Sequence, residues 1–227
     1  MEDRRLKSRG STRSYAAVEK SQPFEGEPML AHRTTRPYEY LRDRVIFLHQ
    51  FLKHPNQVGS IIPSSRFLER RIIQLAGIRS SRTVVELGGG TGGTTQALLR
   101  ALPPDGKLLC VEINDEFCSL LQRIPDRRLI VHHGSAWDLE QAMLRYGLRA
   151  ADAVVSGIPF STMPKTVGSR ILEAIAAVLA AEGRFLAYQV SSQVEELMRP
   201  ILGPAQAKVE LFNVPPMRLY RWVKHSA

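Results

Sequence analysis

The sequence predicts an α/β protein. Its core should be a mostly parallel sheet with helices on both faces, finished by a C-terminal antiparallel hairpin. Three observations lead there. From residue 81 onward, short apolar runs alternate with amphipathic helical patterns, the arrangement that builds parallel strands through helical crossovers. A glycine-rich stretch, Val84-Val-Glu-Leu-Gly-Gly-Gly-Thr-Gly-Gly93, joins the first such run to the first of these helices. Near the end, two strand-like runs (208–214 and 217–223) are separated only by Pro215-Pro216, and so short a link forces antiparallel pairing.

Residues 1–37 are polar and basic, with few large apolar side chains. Met1 to Pro23 cannot bury enough surface to order itself and is expected to be mobile. Tyr38 to His54 differ. On a helical wheel Leu41, Val45, Leu48 and Leu52 share one stripe, which Tyr40, Phe47 and Phe51 widen, while Arg42, Asp43, His49, Gln50 and Lys53 fill the other side. This predicts an amphipathic helix. Two placements remain open for it: packed on the core, or lying in an anionic membrane interface. A loop follows, Pro55-Asn-Gln-Val-Gly-Ser-Ile-Ile-Pro63, and then Ser64-Ser-Arg-Phe-Leu-Glu reads as a capped helix start. Strands are expected near 83–87, 107–113, 128–133, 152–156 and 184–190. Helices are expected near 94–102, 115–123, 138–146, 167–181 and 192–199. The organisation is therefore a basic segment (1–37), a helical cap (38–80) and a main domain (81–227).

With 227 residues, 44% of them hydrophobic and 23% charged, the chain suits one globular domain plus an appendage. No apolar run approaches the ~20 residues needed to span a bilayer, and the N-terminus has no signal-peptide core. The expectation is a cytoplasmic protein. The two cysteines, Cys110 and Cys118, match no metal or redox spacing, and Cys110 reads as core. His132 and His133 are adjacent, so on a strand they face opposite ways and make a poor metal pair; no metal is expected. The net charge of +9 favours acidic partners, among them nucleic acid, anionic membranes and phosphate-bearing substrates, without choosing among them.

The glycine stretch carries the functional signal. A strand, a tight loop and a helix start offer free N–H groups to a ligand. Gly88, Gly90 and Gly93 satisfy the dinucleotide fingerprint G-x-G-x-x-G. Glu86 favours another ligand. A carboxylate beside the loop repels a pyrophosphate but suits the cationic amino acid end of S-adenosylmethionine. A second acid, Glu112, ends the next strand-like run and is placed to accept from both hydroxyls of a ribose, which either ligand contains.

Glu86-x-Gly88-x-Gly90-x-Gly92 resembles motif I of class I S-adenosylmethionine-dependent methyltransferases. Three further segments narrow the likeness: Gly59-Ser-Ile-Ile-Pro-Ser-Ser before the loop, Ser156-Gly-Ile-Pro-Phe160 after the fourth strand, and Asn213-Val-Pro-Pro in the terminal hairpin. Together these resemble the bacterial soluble phospholipid N-methyltransferases, including the branch that methylates ornithine lipids. The likeness covers roughly residues 38–224. It implies a Rossmann-like seven-stranded sheet, mostly parallel with a C-terminal antiparallel hairpin. It also implies methyl transfer from S-adenosylmethionine to the amine of phosphatidylethanolamine and its mono- and dimethyl forms, toward phosphatidylcholine; the alternative is a methyltransferase acting on rRNA adenine or a soluble amine. The membrane partner would be met by residues 38–54, from the inner face of the cytoplasmic membrane, and no nucleic acid partner is expected.

Carried over residue by residue, the resemblance assigns cofactor contacts to Ser60, Glu86, Gly88, Gly89, Gly90, Gly92, Thr94, Glu112, Ile113, Ser135, Ala136 and Ser156. It assigns the acceptor site to Ser156, Gly157 and Tyr188. The chain departs from the family pattern at two places. Gly134-Ser135-Ala136 stands where such enzymes usually carry Gly-Asp-Ala, with the aspartate on the adenine amine. Ser156 stands where adenine methyltransferases often hold Asn or Asp, which weakens a nucleic-acid base as acceptor. Arg218, Arg221 and Lys165 are candidate phosphate donors. The implied chemistry needs alignment of amine, methyl and sulfur more than a base, because desolvation and the sulfonium charge both push the amine toward its neutral form.

Overall fold

The structure is a computed structural model that describes residues 65–212 and 216–226. The expectations for residues 1–37, for the helix at 38–54, for the loop holding Ser60, and for Asn213-Val-Pro lie outside the described residues.

Helix α1 (Arg66–Ala76) begins as its serine predicts. Ser65 Oγ accepts from the Leu68 N–H at 3.2 Å, filling one of the open donors of the first turn. Leu68, Ile72 and Leu75, spaced one helical turn apart, are buried on the sheet. The strands are β1 (Thr83–Leu87), β2 (Lys107–Glu112), β3 (Leu129–His133), β4 (Ala151–Ser156), β5 (Leu179–Gln189), β6 (Gln206–Glu210) and β7 (Met217–Val223). The remaining helices among the described residues are α2 (Gly93–Ala101), α3 (Asp115–Leu121), α4 (Leu139–Arg145), α5 (Lys165–Val178) and α6 (Gln193–Leu202).

All seven strands form one sheet in the order β3-β2-β1-β4-β5-β7-β6. β1 to β5 pair in parallel, and β7 is antiparallel to both of its neighbours. Chain order runs outward from β1 in both directions, so the switch point lies between β1 and β4. In open sheets of this kind a ligand crevice forms there, beyond the carboxyl ends of the strands. Alternation along the strands feeds two cores. One face packs Val85, Val154 and Phe185 against α4, α5 and α6, which contribute residues such as Ile171. The other packs Val84, Val155 and Leu186 against α1 and α2, which contribute residues such as Leu68 and Leu98. Among the described residues, no helix is long and apolar enough to cross a membrane.

Within the described residues the expected elements are present, with two shifts: the strand expected at 208–214 is β6 at Gln206–Glu210, ending in a turn at 211–212, and the boundary of α5 and β5 moves. The pattern extended α5 to residue 181 and began β5 at 184; the helix stops at Val178 and the strand starts at Leu179. Alanine-rich Ala180-Ala-Glu reads as helix by local preference, but tertiary pairing overrides it. Leu179 pairs with Ala151, and a bulge at Glu182, with φ +59°, resets the register so that Arg184 pairs with Ala153. Lys224 Nζ then donates to the Ala176 and Leu179 carbonyls at 2.8 and 2.9 Å, capping the helix from a distant strand.

Candidate active site

The loop after β1 wraps over the carboxyl end of the sheet. The Gly88 N–H donates to the Val111 carbonyl at 2.9 Å, tying the loop to β2. Gly90 has φ +54°, and a Cβ built there meets nothing within 4 Å. It needs glycine for its backbone angle, and it leaves an open cradle beside the loop. Gly89 is different: a Cβ would strike Cys110 Sγ at 2.4 Å, so this residue serves packing. Gly92 precedes α2 as its cap residue.

Glu112 at the end of β2 braces this loop. One carboxylate oxygen accepts from the Gly90 N–H at 3.0 Å, and the other accepts from the N–H groups of Ile113 and Asn114 at 2.8 and 2.9 Å. The glycine loop and the start of α3 thus hang on one buried carboxylate. The Gly134 N–H donates to the Glu112 carbonyl, which brings Ser135 and Ala136 to the same edge. Ala136 is buried and the Ser135 side chain makes no capping bond.

Glu86 lies behind the loop, fully buried on the α2 face. Thr95 Oγ1 donates to its Oε2 at 2.6 Å. Its other oxygen, Oε1, is buried with no hydrogen-bond partner. Burial pushes the carboxyl pKa up to about 7; the Thr95 hydroxyl and the neighbouring Cys110 thiol offset part of that rise, and the Glu112 charge adds to it. Buried acceptors are seldom left unpaired, so the open oxygen marks a place for a donor or a positive charge.

The acceptor-side segment begins where β4 ends. The Gly157 N–H donates to the Leu87 carbonyl at 3.0 Å, setting it beside the cofactor loop. Tyr188 arrives from β5: its hydroxyl lies 2.3 Å from where a Gly157 Cβ would be, and it hydrogen-bonds with Thr94. Burial drives the phenol pKa upward, so Tyr188 stays protonated. Ser156 is not with them. Strand alternation sets it on the Val154 side, with Tyr188 on the Leu186 side, and Ser156 Oγ accepts from the Ile158 N–H at 3.3 Å.

Two glutamines that sequence reasoning missed hold the segment in place. Gln189 Nε2 donates to the Ile158 carbonyl at 2.7 Å, and its Oε1 accepts from the Phe160 N–H at 3.3 Å. Gln193 Nε2 donates to the Phe160 carbonyl at 2.8 Å. Gln189 left a signal: a polar residue closing the apolar run Phe185-Leu-Ala-Tyr.

The remaining candidates separate. His132 packs edge-on against Tyr146 at 5.8 Å between ring centres, whereas His133 Nδ1 meets Asp115 at 3.2 Å. They face opposite ways, as adjacency required. Arg218 is exposed and pairs with Gln189 at the site end of the sheet. Lys165 is exposed at the start of α5. Arg221 pairs with Leu186 and donates to Gln206, three residues, or roughly 10 Å, back from that end.

No protein-family model matches the chain. Ornithine lipid N-methyltransferase of Singulisphaera acidiphila is 32% identical to it over 191 residues, covering 82% of this chain and 100% of that protein. The chain belongs to this lipid N-methyltransferase family. It is an S-adenosylmethionine-dependent N-methyltransferase, and the resemblance seen in the motifs is borne out at its ornithine lipid branch.

Solved structures bear out the class I methyltransferase fold. The N-methyltransferase NodS of Bradyrhizobium japonicum, in complex with S-adenosylhomocysteine, superimposes with a TM-score of 0.63 at 13% identity, covering 79% of this chain and 100% of that one. The O-methyltransferase TomG of Streptomyces achromogenes, in complex with S-adenosylmethionine, gives 0.57 at 18% identity, covering 78% and 89%. Ribosomal RNA small subunit methyltransferase A of Laribacter hongkongensis is 39% identical over 71 residues, only 31% of this chain and 26% of that protein. The family's cofactor fits this site on two counts. Glu86 presents an unpaired buried carboxylate oxygen, and the Cβ direction of Gly90 is open.

Proposed function

We propose that the chain methylates the amine headgroup of a membrane lipid at the bilayer surface. The acceptors are phosphatidylethanolamine and its mono- and dimethyl forms, toward phosphatidylcholine, with the ornithine lipid amine as the neighbouring substrate of the same class. The likeness to Ornithine lipid N-methyltransferase over that protein's whole length carries the reading. The likeness to the ribosomal RNA enzyme, confined to about a quarter of that protein, supports a shared loop and not a shared acceptor.

In this reading S-adenosylmethionine, when bound, supplies an activated methyl group on a sulfonium. Glu86 answers the positive charge of its amino acid end, Glu112 takes the ribose hydroxyls while keeping the Gly90 loop closed, and Ile113, Ser135 and Ala136 border the adenine. The backbone of Ser156 and Gly157 orients the lipid amine, and the Gly157 carbonyl is the acceptor for an N–H of the unmethylated and monomethyl forms. Tyr188, held protonated, donates and positions; it does not remove a proton. The amine enters neutral, because a dry site disfavours its ammonium form. After each of the first two transfers the product ammonium releases its extra proton to solvent; the third leaves a quaternary ammonium with no proton to lose. Arg218, at the site end of β7, contacts the lipid phosphate. Residues 38–54 are proposed as an interfacial helix, on the amphipathic pattern of the sequence.

Incubation with labelled S-adenosylmethionine and a mixed lipid extract, followed by lipid separation, tests this. Label should appear in methylated phosphatidylethanolamine species or methylated ornithine lipid. Label confined to RNA or to water-soluble amines would overturn the assignment.

A further inference from the structure

We propose that the groove between α1 and the end of β6 docks the protein on an anionic lipid bilayer. This deepens the lipid-amine reading and rests on it.

The groove has a volume of about 360 Å³ and is lined by Phe67, Arg70 and Arg71 on the helix and by Glu210, Leu211 and Phe212 on the other side. Exposed large apolar residues gather here. Seven are found among the described residues, and Phe67, Val209, Leu211 and Phe212 line this one groove. A fifth, Val190, stands one residue beyond β5. Single exposed apolar side chains need no explanation, but a contiguous patch marks an interaction surface.

The exposure is built in. Phe67 and Phe212 are 54% and 73% exposed, yet their rings sit 5.2 Å apart. The turn bearing Phe212 is pinned by Glu210, a carboxylate only 3% exposed, which accepts from the Phe212 N–H at 3.1 Å and pairs with Arg71 at 3.5 Å. A buried carboxylate, paired with the partly exposed Arg71, therefore holds two aromatic rings in water.

Charge selects the partner. Arg66, Arg70 and Lys208 are exposed around the groove. The two nearby acids, Glu69 and Glu210, are engaged by Arg100 and Arg71. A basic rim around apolar side chains is the chemistry of interfacial binding to anionic lipid. A second copy of this chain, at net charge +9, would bring like charge to the same rim.

Position links the groove to the reaction. Glu210 pairs with Met217, and Arg218 pairs with Gln189. The groove thus opens at the end of the sheet where Gln189 holds the Ile158–Phe160 segment. A bilayer seated there meets the protein at its acceptor site, and a headgroup has only to reach across the rim.

The test uses the full chain with vesicles of phosphatidylglycerol and phosphatidylcholine, against vesicles of phosphatidylcholine alone. The protein should sediment with the anionic vesicles and release as salt rises. Phe67→Ser with Phe212→Ser should weaken vesicle binding by about tenfold or more, with melting temperature and S-adenosylmethionine affinity unchanged. Its turnover on bilayer-embedded amine lipid should fall in step, while turnover on a short-chain monomeric analogue holds. Arg66→Glu with Arg70→Glu should lose binding most at low salt. Unchanged sedimentation of the aromatic variant overturns the docking surface. So does an altered oligomeric state by light scattering with sedimentation intact, which would make the groove an interface between copies. A parent protein that methylates neither bilayer lipid nor the monomeric analogue overturns the lipid reading beneath it.

Discussion

Replacing Glu86 with glutamine should make the protein more stable and a worse enzyme, and the stability gain should depend on pH. The Glu86 carboxyl is fully buried and its pKa is raised from 4.5 to about 7, chiefly by that burial. Between those two values the folded chain keeps the proton and the unfolded chain has lost it. The folded state is therefore favoured by Glu86 at low pH, and this contribution is lost as pH rises from about 4.5 through about 7. The gap of about 2.5 units corresponds to about 3 kcal/mol. Above about pH 7 that is the cost of holding an uncompensated carboxylate in the core without its ligand.

Glu86→Gln keeps the shape and an acceptor for Thr95 Oγ1, and it cannot ionise. It should gain about 2–3 kcal/mol near pH 8, or roughly 5–10 °C in melting temperature for a domain of this size, and little near pH 5. Melting curves of both proteins across that range, taken without cofactor, measure it; the difference between them cancels every other titrating group. Calorimetric titration should show S-adenosylmethionine affinity of the parent falling as pH drops below about 7, and the variant binding about tenfold more weakly or worse at about pH 8. A variant less stable than the parent at high pH, or a difference that does not change with pH, would refute the reasoning.

Five further outcomes follow from the geometry. Gly90→Val should reduce S-adenosylmethionine affinity in a calorimetric titration by at least about tenfold, because it places a branched side chain in the open cradle and strains a positive φ. Glu112→Ala frees three N–H groups and should lower stability by about 1–3 kcal/mol in denaturant melts, together with cofactor affinity. Ser156→Ala should be mild in methyl-transfer assays, since its hydroxyl accepts only from Ile158. Gly157→Val should be severe, as its first carbon meets the Tyr188 hydroxyl. Gln189→Leu should lower turnover while leaving cofactor affinity intact, since it releases the segment from Ile158 to Phe160 without touching the glycine loop.

The mostly parallel sheet and the loop were legible in the sequence because both depend on local patterns. Apolar runs between helical periods give the parallel sheet, and glycines after an acid give the loop. What depends on distant partners was not legible. Glu112 reads as a ribose acceptor, but its bond to Gly90 spans 22 residues. Gln189 and Gln193 contact a segment about thirty residues earlier. The end of α5 is set by pairing with Ala151 and by the Lys224 amine, neither of which local preference for helix includes. The separation of Ser156 from Tyr188 follows from strand alternation. The motif-level resemblance grouped them because it orders residues along the chain and ignores which face of a strand each occupies.

The place of β7 bears on how the chain is made. It is the last of the seven strands to leave the ribosome, yet it sits between β5 and β6 and bonds to both. Until it emerges, β5 is an open edge carrying Phe185, Leu186 and Tyr188, and β6 has no strand to pair with. An unprotected apolar edge is where nascent chains associate wrongly. The final strand is therefore the step that closes the sheet, and early termination before Met217 should yield aggregates instead of a trimmed enzyme.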